Sequence, residues 1–236
     1  MAQIDPFRAF DFAALKVPAN TAKPMPLVWI LLAICCGVEA LFQMQDLFDP
    51  KGGLVWLTNR SLAVQYGGFW PGLLGNWQPN YPGQPILMFL SYGLLHADFW
   101  HLLGNAILLV VLGRRTVSAV GQGGLLLLLV ASVVAGGFGY GIMATSTQPM
   151  VGLSGGLFGL IAACQIWQAR RMRHEGRPRR GVFMFTIWLI VLHFVFFVLQ
   201  DGGLAWQAHF GGYIGGGVVV FLLPTPATAP RSSHHN

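Results

Sequence analysis

The thirty residues from Arg170 to Leu199, RRMRHEGRPRRGVFMFTIWLIVLHFVFFVL, decide the class of this protein. The stretch opens with six arginines, Arg170, Arg171, Arg173, Arg177, Arg179 and Arg180. It continues from Val182 to Leu199 with eighteen residues that hold no Asp, Glu, Lys or Arg. As a helix rising 1.5 Å per residue, that run reaches about 27 Å, close to the ~30 Å hydrocarbon core of a bilayer. An apolar run abutting clustered arginine is the pattern of a membrane helix ending on the cytoplasmic side. The whole chain agrees: of 236 residues, 54% are hydrophobic and only 9% charged, against about 25% charged in soluble domains. So few charges cannot cover a water-soluble globule, and so much apolar surface excludes a disordered chain. The net charge of +6 does not point to a nucleic acid, because the arginines sit where topology places them.

Working outward, apolar segments cover 27–42, 99–113, 125–143, 153–168, 182–199 and 205–223. They predict an all-α, polytopic membrane protein with six transmembrane helices in one bundle. A seventh run, 86–95, is too short to span and reads as an interfacial or re-entrant helix. With six spans and an inner N-terminus, twelve of the fourteen basic residues fall inside, leaving Lys51 and Arg60 outside. This bias predicts an N-in, C-in orientation. The chain then divides into a cytoplasmic N-terminal segment (1–24), a six-helix domain (25–223) with a long outer loop over about 43–98, and a disordered cytoplasmic tail (224–236). Asp5 and Asp11 argue against a transit peptide, and no cleavable leader is expected. Trp56, Trp70, Trp77, Tyr66 and Tyr81 should settle the outer loop into the headgroup region. Cys35, Cys36 and Cys164 lie in apolar segments, and buried thiols are expected, with neither disulfide nor metal spacing.

Polar groups within spans are costly, so each is a candidate functional residue. They are Glu39, His101, Asn105, Ser154, His193 and His209. Spans two, four and six all run from outside to inside. His101 and Asn105 open span two, Ser154 opens span four and His209 opens span six, so these four converge on the outer half of the bilayer. Ser154 sits in Gly152-Leu153-Ser154-Gly155-Gly156-Leu157-Phe158-Gly159, where a helix start leaves unpaired N–H groups that can stabilise an oxyanion. The competing reading is a helix-capping serine in a glycine-rich packing seam. His209 lies beside Ala208, and Ala208, Gly212 and Gly216 form a four-residue small stripe that admits a neighbouring backbone. If that neighbour carries Gly155 and Gly159, the imidazole lands beside the Ser154 hydroxyl, and serine needs such a base. His101 and Asn105, one turn apart, can donate hydrogen bonds to developing negative charge. Asp98 reads as the cap of their helix. A purely structural role in bundle packing is the alternative for each of these polar groups.

Taken together, Gly152-x-Ser154-Gly155-x-x-x-Gly159, Ala208-His209-x-x-Gly212-x-x-x-Gly216 and His96-x-x-x-x-His101-x-x-x-Asn105 resemble the rhomboid intramembrane serine proteases. The resemblance covers roughly residues 86–223, and the first span fits the bacterial six-helix form. It implies a serine endopeptidase with Ser154 as nucleophile and His209 as general base, a dyad needing no cofactor or metal. It also implies an oxyanion hole of Asn105, His101 and the backbone N–H groups near Leu153 and Ser154. The implied partners are transmembrane protein substrates, cleaved near their outer ends within the lipid bilayer, and the implied location is a bacterial inner membrane.

Three departures from that pattern stand out. Phe158 occupies the place of a tyrosine that packs on the histidine ring, Trp77-Gln78 replaces a Trp-Arg pair, and Val117 stands near the place of an acidic residue. A catalytically inactive relative that binds membrane proteins is the second reading, although both Ser154 and His209 are present. A transporter is the third, but no internal repeat is found. Glu39 and His193 match no catalytic position, and each is expected to be satisfied by neighbouring helices or an interface. Asp201, eight residues before His209 in the short outer loop, is not expected to serve as a third triad member.

Overall fold

The structure is a computed structural model that describes residues 24–48 and 59–223. The expectations for the N-terminal segment (1–24), Lys51, Trp56 and the tail (224–236) fall outside the described residues, apart from residue 24 itself. Among the described residues the secondary structure is helical: α1 (Pro26–Phe48), α2 (Arg60–Gly67), α3 (Gln84–Ser91), α4 (Phe99–Met143), α5 (Ser154–His174), α6 (Arg180–Leu199) and α7 (Trp206–Val219). Short 3₁₀ turns cover Pro71–Leu74 and Tyr92–Leu94. No strand joins them, and an isolated antiparallel bridge links Phe69 to Met150. Three helical stretches are long and apolar enough by themselves to cross a membrane: Pro26–Gln45, Phe99–Met143 and Arg180–Leu199.

The long helix α4 resolves into two arms. Gly121 departs from helical geometry with φ 77° and ψ −177°, a region open to glycine and strained for side chains. His101 near the start of α4 lies against Gly152, and Gly136 near its end lies against Gly155. Thirty-five residues of straight helix would separate His101 and Gly136 by about 52 Å, so the chain doubles back at Gly121. Each arm, 99–120 and 122–143, is then about 33 Å long.

Helices α4, α5 and α7 pack most closely, with α1 against α4. Glycine makes this possible, because α7 is wedged between two backbones. On one side a Cβ at Gly212 would overlap the Gly155 carbonyl, and one at Gly216 would overlap Gly159. On the other, a Cβ at Gly211 would overlap the Ala135 carbonyl, and one at Gly139 would stand 3.0 Å from Gly211 Cα. The first seam is the stripe read in the sequence, and the second, Ala135/Gly139 against Gly211/Gly215, was not anticipated. Helix α6 differs from the others. Gly181 is its only buried residue, and Phe183, Ile190, Phe194 and Leu199 are exposed.

Local caps follow the sequence. Asn59 accepts from the N–H groups of Ser61 and Leu62 to start α2, and Asp98 accepts from His101 N–H at 2.8 Å to start α4. The segment between α1 and α4 is anchored by Phe69, which exchanges both backbone hydrogen bonds with Met150 at 2.9 Å. Glu39 is satisfied from that segment: Arg60 donates to both of its carboxylate oxygens at 2.8 and 2.9 Å, and to the His96 carbonyl at 2.8 Å. Replacing Glu39 by leucine is expected to cost about 1.5–3 kcal/mol, the worth of charge-assisted hydrogen bonds, read as a lower melting midpoint in detergent.

One expectation is corrected. Cys35 and Cys164 are buried, but Cys36 is exposed. Consecutive residues lie about 100° apart around a helix, so α1 turns only one of its paired cysteines toward the bundle.

Candidate active site

Ser154 is the first residue of α5, entered through Leu153 without any side-chain cap. The first hydrogen bond of the helix runs from Leu157 N–H to the Leu153 carbonyl at 3.1 Å. The N–H groups of Ser154, Gly155 and Gly156 therefore lie ahead of the ladder, where the helix dipole is positive. Gly152 sets this entrance. Its φ of 124° disfavours any side chain, and a Cβ there would stand 2.6 Å from His101 Cε1 and 2.8 Å from its Nε2. The His101 ring thus covers Gly152 at the mouth of α5. The Gly152 N–H donates to the Tyr92 carbonyl at 2.9 Å, and the Tyr92 hydroxyl donates to the Val133 carbonyl at 2.7 Å. These bonds fix the approach loop to the second arm of α4.

His209 is buried on the first turn of α7. Its Nε2 lies 2.7 Å from Ser154 Oγ. The glycine seam supplies that distance: Gly155 and Gly159 allow α5 to touch Gly212 and Gly216 of α7, with the Ser154 hydroxyl one residue before Gly155 and the His209 imidazole about one turn before Gly212. Phe158, one turn below Ser154, stacks on the His209 ring with centroids 4.5 Å apart and planes 15° from parallel.

The structure brings Ser154, His209, Leu153, Gly152 and His101 together. Asn105 is buried one turn below His101 and donates its amide N–H back to the His101 carbonyl at 3.1 Å, with no bond to Ser154. His96 is buried beside His101, ring centroids 5.3 Å apart, and burial together with that neighbour pushes its imidazole down to about 4. It is therefore neutral at pH 7. Among the described residues no group of three or more His, Cys, Asp or Glu is arranged to hold a metal ion.

Sequence reasoning left His193 without a role, yet it is in contact with the site. Its Nε2 lies 2.8 Å from His209 Nδ1, and its Nδ1 lies 3.0 Å from the Leu189 carbonyl. A depth count would have placed it at the right level along α6, though not on the right face. His193 precedes the end of α6 by six residues, about 9 Å, and His209 follows the start of α7 by three, about 4.5 Å. Both therefore lie near the same turn of chain. Asp201 is exposed in that turn with φ 48°, and the His209 nitrogen it would need is engaged by His193.

Comparison with known proteins gives one family. The Rhomboid domain model matches residues 84–225, more than half of the chain. Rhomboid protease GlpG of Photorhabdus laumondii is 30% identical over 160 residues, covering 67% of this chain and 55% of the relative. Rhomboid protease GlpG of Yersinia pseudotuberculosis is 25% identical over 217 residues, 92% of this chain and 68% of the relative. An uncharacterized protein of Mycobacterium tuberculosis is 29% identical over 160 residues, 59% of this chain and 60% of its own. The chain thus spans little more than half the length of the first of these relatives.

Proposed function

The chain belongs to the rhomboid family of membrane proteins, and from that premise we propose that it is an intramembrane serine endopeptidase acting through a Ser154–His209 dyad. The observation that carries this reading is the 2.7 Å approach of His209 Nε2 to Ser154 Oγ, at a helix N-terminus with unpaired N–H groups. Substrates are transmembrane proteins, cut near the outer face. An α-helix hides its carbonyls in hydrogen bonds, so the substrate must unwind locally before Ser154 can reach one.

In the reaction His209 Nε2 takes the Ser154 hydroxyl proton as Oγ attacks the scissile carbonyl. The tetrahedral oxyanion is held by the N–H groups at the start of α5, with His101 and Asn105 as further donors; one such donor contributes ~2.7–4 kcal/mol. The imidazolium then returns its proton to the departing amine. Water, entering from the outer side, hydrolyses the acyl-enzyme with His209 again as base. No cofactor is called for. Gly152, Gly155, Gly159, Gly212 and Gly216 act as spacers that hold the dyad in register.

The domain comprises 25–223, with six spans: α1, the two arms of α4, α5, α6 and α7. Support comes from the reversal at Gly121 and from the charge bias, which favours an N-terminus, arginine loop and tail on the cytoplasmic side; the membrane in this reading is a bacterial inner membrane. In that loop Glu175 pairs with Arg171 at 2.8 Å and Arg177 at 3.3 Å, and the remaining arginines keep it basic.

The test is labelling by a fluorophosphonate in proteoliposomes, with an active relative as positive control. Wild type should be modified at Ser154, located by peptide mass spectrometry, and should cleave a single-span reporter. A folded wild type that does neither would instead favour the inactive, membrane-protein-binding reading. A second outcome concerns the ring stack. Phe158→Leu should slow labelling roughly two- to tenfold, the worth of one aromatic pair, while Phe158→Tyr keeps the stack and should stay near wild type.

A further inference from the structure

His193 takes no part in the steps above, yet for a neutral imidazole its two contacts have only one consistent arrangement of hydrogens. The Leu189 carbonyl 3.0 Å from His193 Nδ1 is an acceptor, so Nδ1 must carry the hydrogen. A neutral imidazole has one N–H, which leaves a lone pair on His193 Nε2. That lone pair faces His209 Nδ1 at 2.8 Å, so His209 must donate from Nδ1. His209 Nε2 is then unprotonated and turned to the Ser154 hydroxyl at 2.7 Å. The chain of donors runs from Ser154 to His209 to His193 to the Leu189 carbonyl. If His193 were protonated at Nε2 instead, His209 would be forced to present N–H to the serine and could not accept its proton.

We propose that His193 is a positioning residue, a neutral imidazole that fixes the tautomer and ring plane of His209. This rests on the dyad reading of Ser154 and His209. In three-residue triads a carboxylate holds the base in its working tautomer and also stabilises the imidazolium. His193 supplies the first function through its lone pair and brings no full charge. It undergoes no net change: the serine proton goes to His209 Nε2 and from there to the leaving amine.

The placement of His193 on α6 is not incidental. Thr186, Leu189 and His193 fall at positions i, i+3 and i+7, one helical face. Thr186 Oγ1 accepts from Gln165 of α5 at 3.2 Å, and Leu189 packs against the core. That face is turned to the bundle while most of α6 is exposed. His193 also meets Phe158 edge-on, centroids 4.6 Å apart and planes at 90°. Phe158 thus touches both rings, stacked on one and perpendicular to the other.

The experiment compares His193→Gln with His193→Met, two unbranched side chains of similar size that differ in the polar end group. Glutamine can present its carbonyl oxygen to the His209 Nδ1–H, and methionine cannot accept comparably. Fluorophosphonate labelling rates at pH 7 should fall at least about tenfold for His193→Met, bounded by the ~10²–10⁴-fold contribution of a general base. His193→Gln should remain within about threefold of wild type, and both should melt near the wild-type midpoint. Equal rates for Met and wild type, or equal losses for Met and Gln, would overturn the proposal while leaving the dyad standing. Absence of labelling in wild type would instead remove the dyad reading itself. A readout without any substitution is ¹⁵N-histidine NMR of wild type. His209 protonated at Nδ1 supports the arrangement, and protonation at Nε2 overturns it.

Discussion

Ser154→Ala is expected to give a folded protein that no longer cleaves the single-span reporter and no longer takes up fluorophosphonate. The expected loss is on the order of 10⁶-fold in kcat, the scale seen when a serine nucleophile or its histidine is removed from a serine hydrolase. Removing one hydroxyl costs the fold little, because the Ser154 hydroxyl bonds to His209 and the helix entrance is set by Gly152 and Leu153 rather than by the serine side chain. His209→Ala should be equally inactive, and the double variant no worse than either single one. Groups that act as a unit lose their effect together, so their penalties do not add. Independent contributions, with a double variant measurably slower than both, would argue that serine and histidine do not work on the same proton. Circular dichroism and melting of each variant separate lost chemistry from lost structure.

Gly212→Ala is the second large effect, and it acts through geometry. A single methyl at this position would overlap the Gly155 carbonyl, with Gly155 Cα itself at 3.0 Å. Backbone cannot swing aside as a side chain does, so α5 and α7 must separate. Overpacking of a close-packed interior costs ~1–3 kcal/mol, occasionally more, and a lower melting midpoint should report it. Activity should suffer further, because Ser154 and His209 stand on the two helices being pushed apart, and a 1 Å misplacement can cost about 10²-fold. The comparison variant is Gly217→Ala, five residues on along the same chain. Its Cβ would meet only Ile166 Cδ1, at an ordinary 3.7 Å, and near-wild-type melting and cleavage are expected. Equal tolerance of both substitutions would mean that the α5–α7 seam is looser than its glycines imply.

The glycine seam also marks how far the sequence could be read. A four-residue stripe of small residues is a local pattern, because helical pitch places residues i and i+4 on one face whatever lies beyond. Ala208, Gly212 and Gly216 could therefore be recognised as a contact face, and so could Gly155 and Gly159. The partner face at Ala135 and Gly139 was harder to see, since it lies within a stretch rich in leucine, valine, alanine and glycine, where small residues draw no attention. Gly121 was also hidden: four glycines occur between 113 and 124, and only the backbone angle singles out the one where the helix reverses.

Composition, charge placement and the motifs around Ser154 and His209 were enough to determine a helical membrane protein and its family, and to name Ser154 and His209 as the candidates proposed here for nucleophile and base. These features are carried by neighbours along the chain, or by the hydrocarbon thickness that every span must match. Only the tertiary structure decided which residue meets the far side of His209. In water a helix shows its buried face by keeping polar residues off it. A helix facing lipid is apolar all round, so the sequence of α6 leaves its rotation undetermined and His193 without a direction. Packing supplies that rotation, turning Thr186, Leu189 and His193 inward and setting the second imidazole 2.8 Å from the first.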